Sequence, residues 1–467
     1  MNKFIKMGDA HYRINKDLAG SKKIDIFATE PIVNELSDST IKQACNTAMT
    51  PGVDKINLNA DAHEGYGCPI GSVVATRNTI MPGPIGYDIS CSMSYLQTDL
   101  PAEELKTKEA RRNIINRLTD YIPQGAGSKM APEQINIDHK TFLEILEKGA
   151  SDKELIKKLG IEPSWVENLE RTHLPADPGG LSAKTLKRGE NQSGSLGGGN
   201  HFLEAQKVDI IDPEISNAWG INNNTGILTH CGSRGLGHQI ATEYFEILWK
   251  YTQEKYPDFK NKDLVFADVE SAIGRKYLLS MGCAANFAIV NHLLINSAIY
   301  SALMDIYPSV KCHLVYHISH NLAQKEKISN KEFYIHRKGA TRAFPPEHPA
   351  LEGTKFFATG HPVIIPGSSL TGSSIMAGVK GNEKNFYSTP HGSGRTMSRR
   401  AAKKKLSQAY VNEKMDEAGV LFNKRNYPVD EFAETYKDYD EVIKSVVMAG
   451  LAREVADLKP LFVIKGD

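Results

Sequence analysis

Asp88 and Cys91 stand three residues apart in GYDISCSM, so one turn can aim a carboxylate and a thiol at the same cation. Histidines in glycine-rich surroundings could complete the shell. The best placed are His201 in SGSLGGGNHFLE, His230 in THCGSRGLGHQ and His320 in HISHNLA. Thiolate and imidazole favour zinc, whereas a carboxylate is equally at home on manganese or magnesium, and spacing leaves that choice open. Cys45, Cys283 and Cys312 lack such surroundings and read as small buried hydrophobes.

A second chemistry is written in glycine and arginine. Successive N–H groups in a glycine turn form a concave anion site, although GSLGGGN lacks the Lys-Ser/Thr ending of a Walker A loop. Arg234, Arg337, Arg342 and Arg395 lie in or beside glycine turns, where guanidinium forks suit phosphate. His391, in PHGSGR, could attack phosphorus or serve as a general base. The run from Arg395 to Lys405 offers a positive helix face suited to a nucleic-acid backbone, or an ordinary solvated helix.

These residues need a scaffold that gathers loops from most of the chain. Residues 51–100 read as short strands with tight glycine turns, and 194–240 and 359–395 have the same character. Helices are expected near 31–48, 103–121, 238–250 and 277–307, and strands at 312–318 and in the closing LFVIKGD. Residues 133–190 read as a surface insertion with two short exposed helices. No βαβ alternation runs through the chain, so the expectation is one interwoven α+β domain over 1–467. The apolar segment 277–307 is interrupted by Asn286, Asn291, His292 and Asn296, which predicts a buried helix and no membrane span. Six scattered cysteines and an N-terminus without an apolar export stretch predict an intracellular, cytoplasmic protein whose cysteines are free thiols or metal ligands and not a disulfide framework. A net charge of +1 argues against a surface coated in basic charge, but not against a local basic groove.

The motifs DAHEGYGCPIG, GGGNHFLE, GSRGLGHQ, HRKGATRA and the closing VIKG resemble, in order, those of the RtcB family of RNA-splicing ligases. The resemblance runs from about Asp61 to Lys465. It implies that family's fold, central β-sheets surrounded by helices. It also implies an RNA ligase that joins 3′-phosphate or 2′,3′-cyclic phosphate ends to 5′-hydroxyl ends with GTP and two manganese ions, in tRNA splicing or RNA repair. By motif, His391 would carry GMP and Asp61 would orient it. Asp88, Cys91, His201, His230 and His320 would hold the ions, with Cys91 bridging. Asn200 would meet nucleotide phosphates, and Glu204, Ser373, Tyr436 and Lys465 would line the guanine pocket. Arg234 and Arg395 would meet phosphates of nucleotide or RNA. A small archease-type activator is a further implied partner.

The chain departs from the family pattern at two places. Ser92 follows Cys91 where many members have glycine, and PGSSLTGSS at 366–374 stands where PGSMGTAS is usual. The rival readings are a metal-dependent RNA phosphoesterase or nuclease, and a non-enzymatic binder of RNA ends.

Overall fold

Two mixed sheets frame the protein, whose computed structural model describes residues 3–129 and 136–466. Residues 133–135 of the expected insertion lie outside that description. The eight-stranded sheet runs in the order Cys312–Ser319, Ser92–Thr98, Thr225–Cys231, Phe202–Ile210, Ala452–Ile464, Ser373–Gly378 and Pro362–Pro366, with Leu421–Phe422 added parallel to the long closing strand. The seven-stranded sheet runs Phe4–Gly8, His11–Ile14, Ile24–Phe27, Val53–His63, Ile70–Thr76, Lys331–Lys338 and Asn321–Ile328. The chain crosses repeatedly between the sheets, giving the single α+β fabric that its scattered motifs require.

Ser92–Thr98 and Thr225–Cys231 are buried at every position, so both faces of the larger sheet are covered. Period-two alternation divides the side chains. Leu96, Leu203, Ala205 and Ile227 enter the core beneath the helix Ala272–Ile306. Met93, Tyr95, Val208 and Leu228 face the opposite core, with Phe356 and Ile375.

That helix is long and apolar enough to cross a bilayer, yet its most apolar window is 89% buried within the protein. Its polar residues tie it to the sheet. Asn291 Nδ2 donates to Cys231 Sγ at 3.2 Å and to the Gly232 carbonyl at 3.3 Å, and His292 Nε2 lies 3.1 Å from the Cys231 carbonyl. These three contacts fix the strand that ends beside His230.

Two expected helices are divided. The segment near 31–48 forms Glu30–Asn34 and Asp38–Ala48, because Ser37 accepts a hydrogen bond from Thr40 N and starts a new helix. Likewise Thr107 caps Lys108–Tyr121, leaving only a 3₁₀ turn at Ala102–Leu105. The helices His139–Lys148 and Lys153–Lys158 are not simply exposed. Each is amphipathic and buries one face, with Phe142, Ile145, Leu155 and Ile156 in the core shared with Ala272–Ile306.

Candidate active site

Strand order explains the metal-type cluster. Successive antiparallel strands of the larger sheet bring His320 just past the end of Cys312–Ser319, Cys91 just before Ser92–Thr98, His230 to the second-to-last position of Thr225–Cys231, and His201 just before Phe202–Ile210. Alternate strand starts and ends share one edge, so four neighbouring strands deliver four donors to one place. Register completes it, with Met93 opposite His230 and Phe202 opposite His230 from the other side.

The donor atoms converge. Cys91 Sγ lies 3.1 Å from His230 Nε2 and 3.5 Å from His201 Nε2. His201 Nε2 lies 2.8 Å from Asp88 Oδ2, and His230 Nε2 lies 3.4 Å from His320 Nε2. Cys91, His201 and His230 place ligand atoms within 4.8 Å of one another, compatible with bonds of about 2.0–2.3 Å to a shared ion. His201 Nδ1 lies 3.1 Å from the Leu196 carbonyl, which turns an Nε2 lone pair toward the Asp88 carboxylate and the sulfur. Burial and the neighbouring rings hold His230 and His320 well below the usual histidine range, hence neutral. Burial, with Asp88, pushes the Cys91 thiol well above its usual range. Acceptors packed together without a proton or cation between them repel, so this donor set fits a divalent metal.

The turn that presents Asp88 and Cys91 is braced by Asn321. Its carbonyl accepts Ser90 N at 2.7 Å, and its Nδ2 donates to the Asp88 carbonyl at 3.1 Å. Ser90 takes a left-handed φ of 58°. Ser92 continues the strand without a break, and its hydroxyl donates to the Ser90 carbonyl at 2.5 Å.

His391 follows the short strand Ser388–Pro390 and stacks obliquely on His320, with ring centroids 4.7 Å apart. Asp61 stands behind it, wholly buried, with Oδ2 2.7 Å from His391 Nδ1 and 3.2 Å from His391 N. Gly394, at φ 73°, passes so close that a Cβ there would lie 2.1 Å from the Asp61 carbonyl oxygen. Lys437 closes the back of this pair by donating to the carbonyls of Ala60 and Ala62 at 2.8 and 2.7 Å.

In front of His391 opens a cavity of 310 Å³, whose wall includes Asn200, Glu204, Ser373, Arg395, Tyr436 and Lys465. Gln206 Nε2 links Glu204 Oε1 at 2.7 Å to Ser373 Oγ at 3.1 Å. Burial outweighs that hydrogen bond and the nearby Lys465, and pushes the Glu204 carboxyl up to about 8. Glu431, which the motifs did not single out, organises the basic side. It takes Lys465 Nζ at 3.0 Å, the Tyr436 hydroxyl at 2.7 Å, Arg399 at 2.8 Å and Arg395 at 3.3 Å. Although burial opposes ionisation, Lys465 and Arg399 hold Glu431 below the usual carboxylate range. Only a fold that brings residues 395, 399, 431 and 465 together makes this visible.

The arginines separate into two groups. Arg395 faces the cavity, stacked over Tyr436 at 5.2 Å. Arg234 lies beside the metal-type cluster, where it bonds Ser195 Oγ, the Gly125 carbonyl and Ser128 Oγ. Arg337 and Arg342 do not form part of a phosphate site. Arg337 is buried in a bidentate pair with Glu326, and Arg342 pairs with Glu170 at 2.7 Å, so their charge is consumed internally.

A cluster of thiol, carboxylate and imidazole donors thus adjoins a carboxylate-oriented histidine and a basic cavity, the arrangement of a metal-dependent phosphoryl-group enzyme. The family described as "tRNA-splicing ligase RtcB" matches residues 43–466. The RNA-splicing ligase RtcB homolog 1 of Entamoeba dispar is 36% identical, covering 98% of this chain and 87% of its own. The tRNA-splicing ligases RtcB of Thermococcus kodakarensis and Nanoarchaeum equitans are each 34% identical, over 94% of both chains and 99% of both chains respectively. The chain belongs to the RtcB family.

Proposed function

We propose that this chain is a cytoplasmic RNA ligase, acting in tRNA splicing or RNA repair, that joins 3′-phosphate or 2′,3′-cyclic phosphate ends to 5′-hydroxyl ends through a guanylylated His391. The observation that carries this reading is the position of His391, between the Asp61 carboxylate, the ring of His320 and the basic cavity.

With its proton on Nδ1 and donated to Asp61, His391 keeps an Nε2 lone pair. That nitrogen attacks the α-phosphorus of GTP, the N–P bond forms and pyrophosphate leaves. Asp61 stabilises the positive charge that develops on the ring. An RNA 3′-phosphate oxygen (from a cyclic end, after water has added to phosphorus and broken the bond to the 2′-oxygen) then attacks the phosphoramidate phosphorus, the new O–P bond forms, the N–P bond breaks and the imidazole is restored. Finally the 5′-hydroxyl oxygen attacks the activated RNA phosphorus, loses its proton to solvent and displaces GMP as the phosphate anion. Splitting the reaction this way replaces one difficult step with easier ones.

Asp88, Cys91, His201, His230 and His320 are the residues that would hold two manganese ions. Asp88 contacts His201 and His320 contacts His230, and the Cys91 sulfur lies within 3.5 Å of both His201 and His230, so Cys91 would be the donor common to the two pairs. Metal bound there supplies Lewis-acid stabilisation of charge on phosphate oxygens. Asn200 and Arg395 would meet nucleotide phosphates. Glu204, Ser373, Tyr436 and Lys465 would surround guanine, and Arg234 would serve RNA or nucleotide phosphate from beside the metal donors.

The test is incubation with manganese and α-labelled GTP. An acid-labile protein label that disappears in His391→Ala is expected. Absence of label from the wild-type protein with any nucleotide would overturn the covalent route, and RNA-end hydrolysis without nucleotide would replace it with a phosphoesterase.

A further inference from the structure

Behind the strand that ends just before His320 lies a second cavity, of 650 Å³, separate from the one facing His391. Its volume falls within the range of pockets that enclose a small organic molecule. The walls are largely apolar, with Leu169, Leu174, Leu278, Phe344, Leu351 and Phe356 among them. At one end lies a buried charge network. Glu170 Oε1 is shared by Arg342 at 2.7 Å and Arg171 at 2.8 Å, while Glu326 is taken by Arg337 and approached by Arg342 at 3.7 Å.

Three arginines against two glutamates leave one positive charge uncompensated in this network. His317 and His361 add none, since burial lowers them to about 4 and about 3. The charges at the rim do not supply the missing anion. Glu167 and Arg275 are exposed and opposite in sign, and exposed Lys325 pairs with Glu332 at 2.9 Å.

The excess falls on Arg171. Its side chain is 13% exposed, its Nε is buried without a hydrogen-bond partner, and its Nη2 meets Glu170 outside hydrogen-bonding geometry. Gln324 lines the same cavity, is 9% exposed, and has an unpartnered buried Nε2. Unmade hydrogen bonds of this kind are costly, most of all for a charged donor.

We propose that this cavity is a binding site for a small molecule carrying a single carboxylate on an apolar body, the carboxylate taken by Arg171 with Gln324 and the body by the leucine and phenylalanine walls. A carboxylate matches the guanidinium fork and balances the network's charge. The site reaches the residue next to the metal-type cluster. Glu170 Oε2 accepts Ser319 Oγ at 2.7 Å and Ser319 N at 3.1 Å, one residue before His320.

Phenylacetate and its neutral counterpart phenylacetamide are the probes, titrated into full-length protein and followed by ligand-observed NMR. Wild-type protein is expected to bind the acid on the order of tenfold or more tightly than the amide. Arg171→Met should abolish that preference while sparing the amide. Leu278→Trp, which fills the cavity without touching a charge, should exclude both probes. Equal binding of acid and amide, binding of neither, or acid binding that survives Leu278→Trp would overturn the assignment. If Arg171→Met does not fold, the acid–amide comparison and Leu278→Trp still decide. None of these readouts depends on ligase activity.

Discussion

Asp61 Oδ2 lies 2.7 Å from His391 Nδ1 and also accepts the His391 backbone N–H at 3.2 Å, so one buried carboxylate oxygen fixes both the ring and the backbone of the proposed nucleophile. The second oxygen, Oδ1, is buried without a partner. The carboxylate is therefore committed to His391. Asp61→Asn keeps the shape but offers an amide that favours the wrong imidazole tautomer. The guanylylation rate should fall on the order of 10²-fold or more, with GTP affinity little changed. Single-turnover labelling at saturating GTP measures this, and a wild-type rate in Asp61→Asn would remove Asp61 from the chemistry.

Ser92 is the departure next to Cys91, and it is accommodated. Its hydroxyl holds the Ser90 carbonyl at 2.5 Å, in a turn where Ser90 has a φ of 58°. Ser92→Gly removes that bond and loosens the metal-type turn. The expected cost is about 1 kcal/mol in a denaturant titration. Cys91→Ala should act differently, removing the proposed bridging donor. Its manganese content after dialysis should drop steeply, while Ser92→Gly retains most of its metal. Equal retention by both variants would count against Cys91 as a ligand.

Glu204 predicts a pH dependence with a definite sign. Burial raises its folded-state carboxyl from 4.5 to about 8, so the folded protein holds this proton where the unfolded chain has lost it. The group's contribution to stability is present below the unfolded value and is lost as pH rises toward about 8, an effect of a few kcal/mol. Guanine offers N–H donors, which prefer an ionised acceptor. GTP affinity should therefore rise as pH approaches and passes about 8, and GTP should offset the loss of stability. Glu204→Gln should flatten both profiles and narrow the preference for GTP over ATP. Calorimetric titrations across the range test this, and an unchanged slope in Glu204→Gln would assign the pH dependence elsewhere.

The parts of the site legible in sequence are those carried by short glycine-rich motifs. Asp88 and Cys91 share one turn, and His201, His230 and His320 each flank a strand end, so local pattern pointed at them. Glu431 was not legible, because NYPVDEFAETY has no chemical signature until residues 395, 399 and 465 surround it. Arg337 and Arg342 misled for the same reason in reverse. Glu326 is eleven residues from Arg337, but Glu170 is 172 residues from Arg342, and no spacing rule pairs them. The helices expected near 31–48 and 103–121 are shorter in the structure, since apolar periodicity continues across Ser37 and Thr107, where side-chain caps restart the backbone.

The helix Arg399–Lys405 divides its charge between structure and surface. All five basic residues are exposed, but Arg399 pairs with Glu431 at 2.8 Å and Lys403 approaches Asp430 at 3.5 Å, whereas Arg400, Lys404 and Lys405 make no ion pair among the described residues. The three outside these pairs lie on a helix next to the proposed GTP cavity, where an RNA backbone would pass. Replacing them with serine should weaken binding of single-stranded RNA ends and reduce the slope of log affinity against log salt by about 0.7 per lost phosphate contact. Guanylylation of His391 should proceed at the wild-type rate, because none of the three lines the cavity. Arg399→Ser should instead impair both, since its charge helps hold Glu431, and through it Lys465 and Tyr436, in place. Fluorescence anisotropy at several salt concentrations, run beside the GTP-labelling assay, separates the two outcomes. An unchanged salt slope in the triple variant would show that RNA takes another path across the surface.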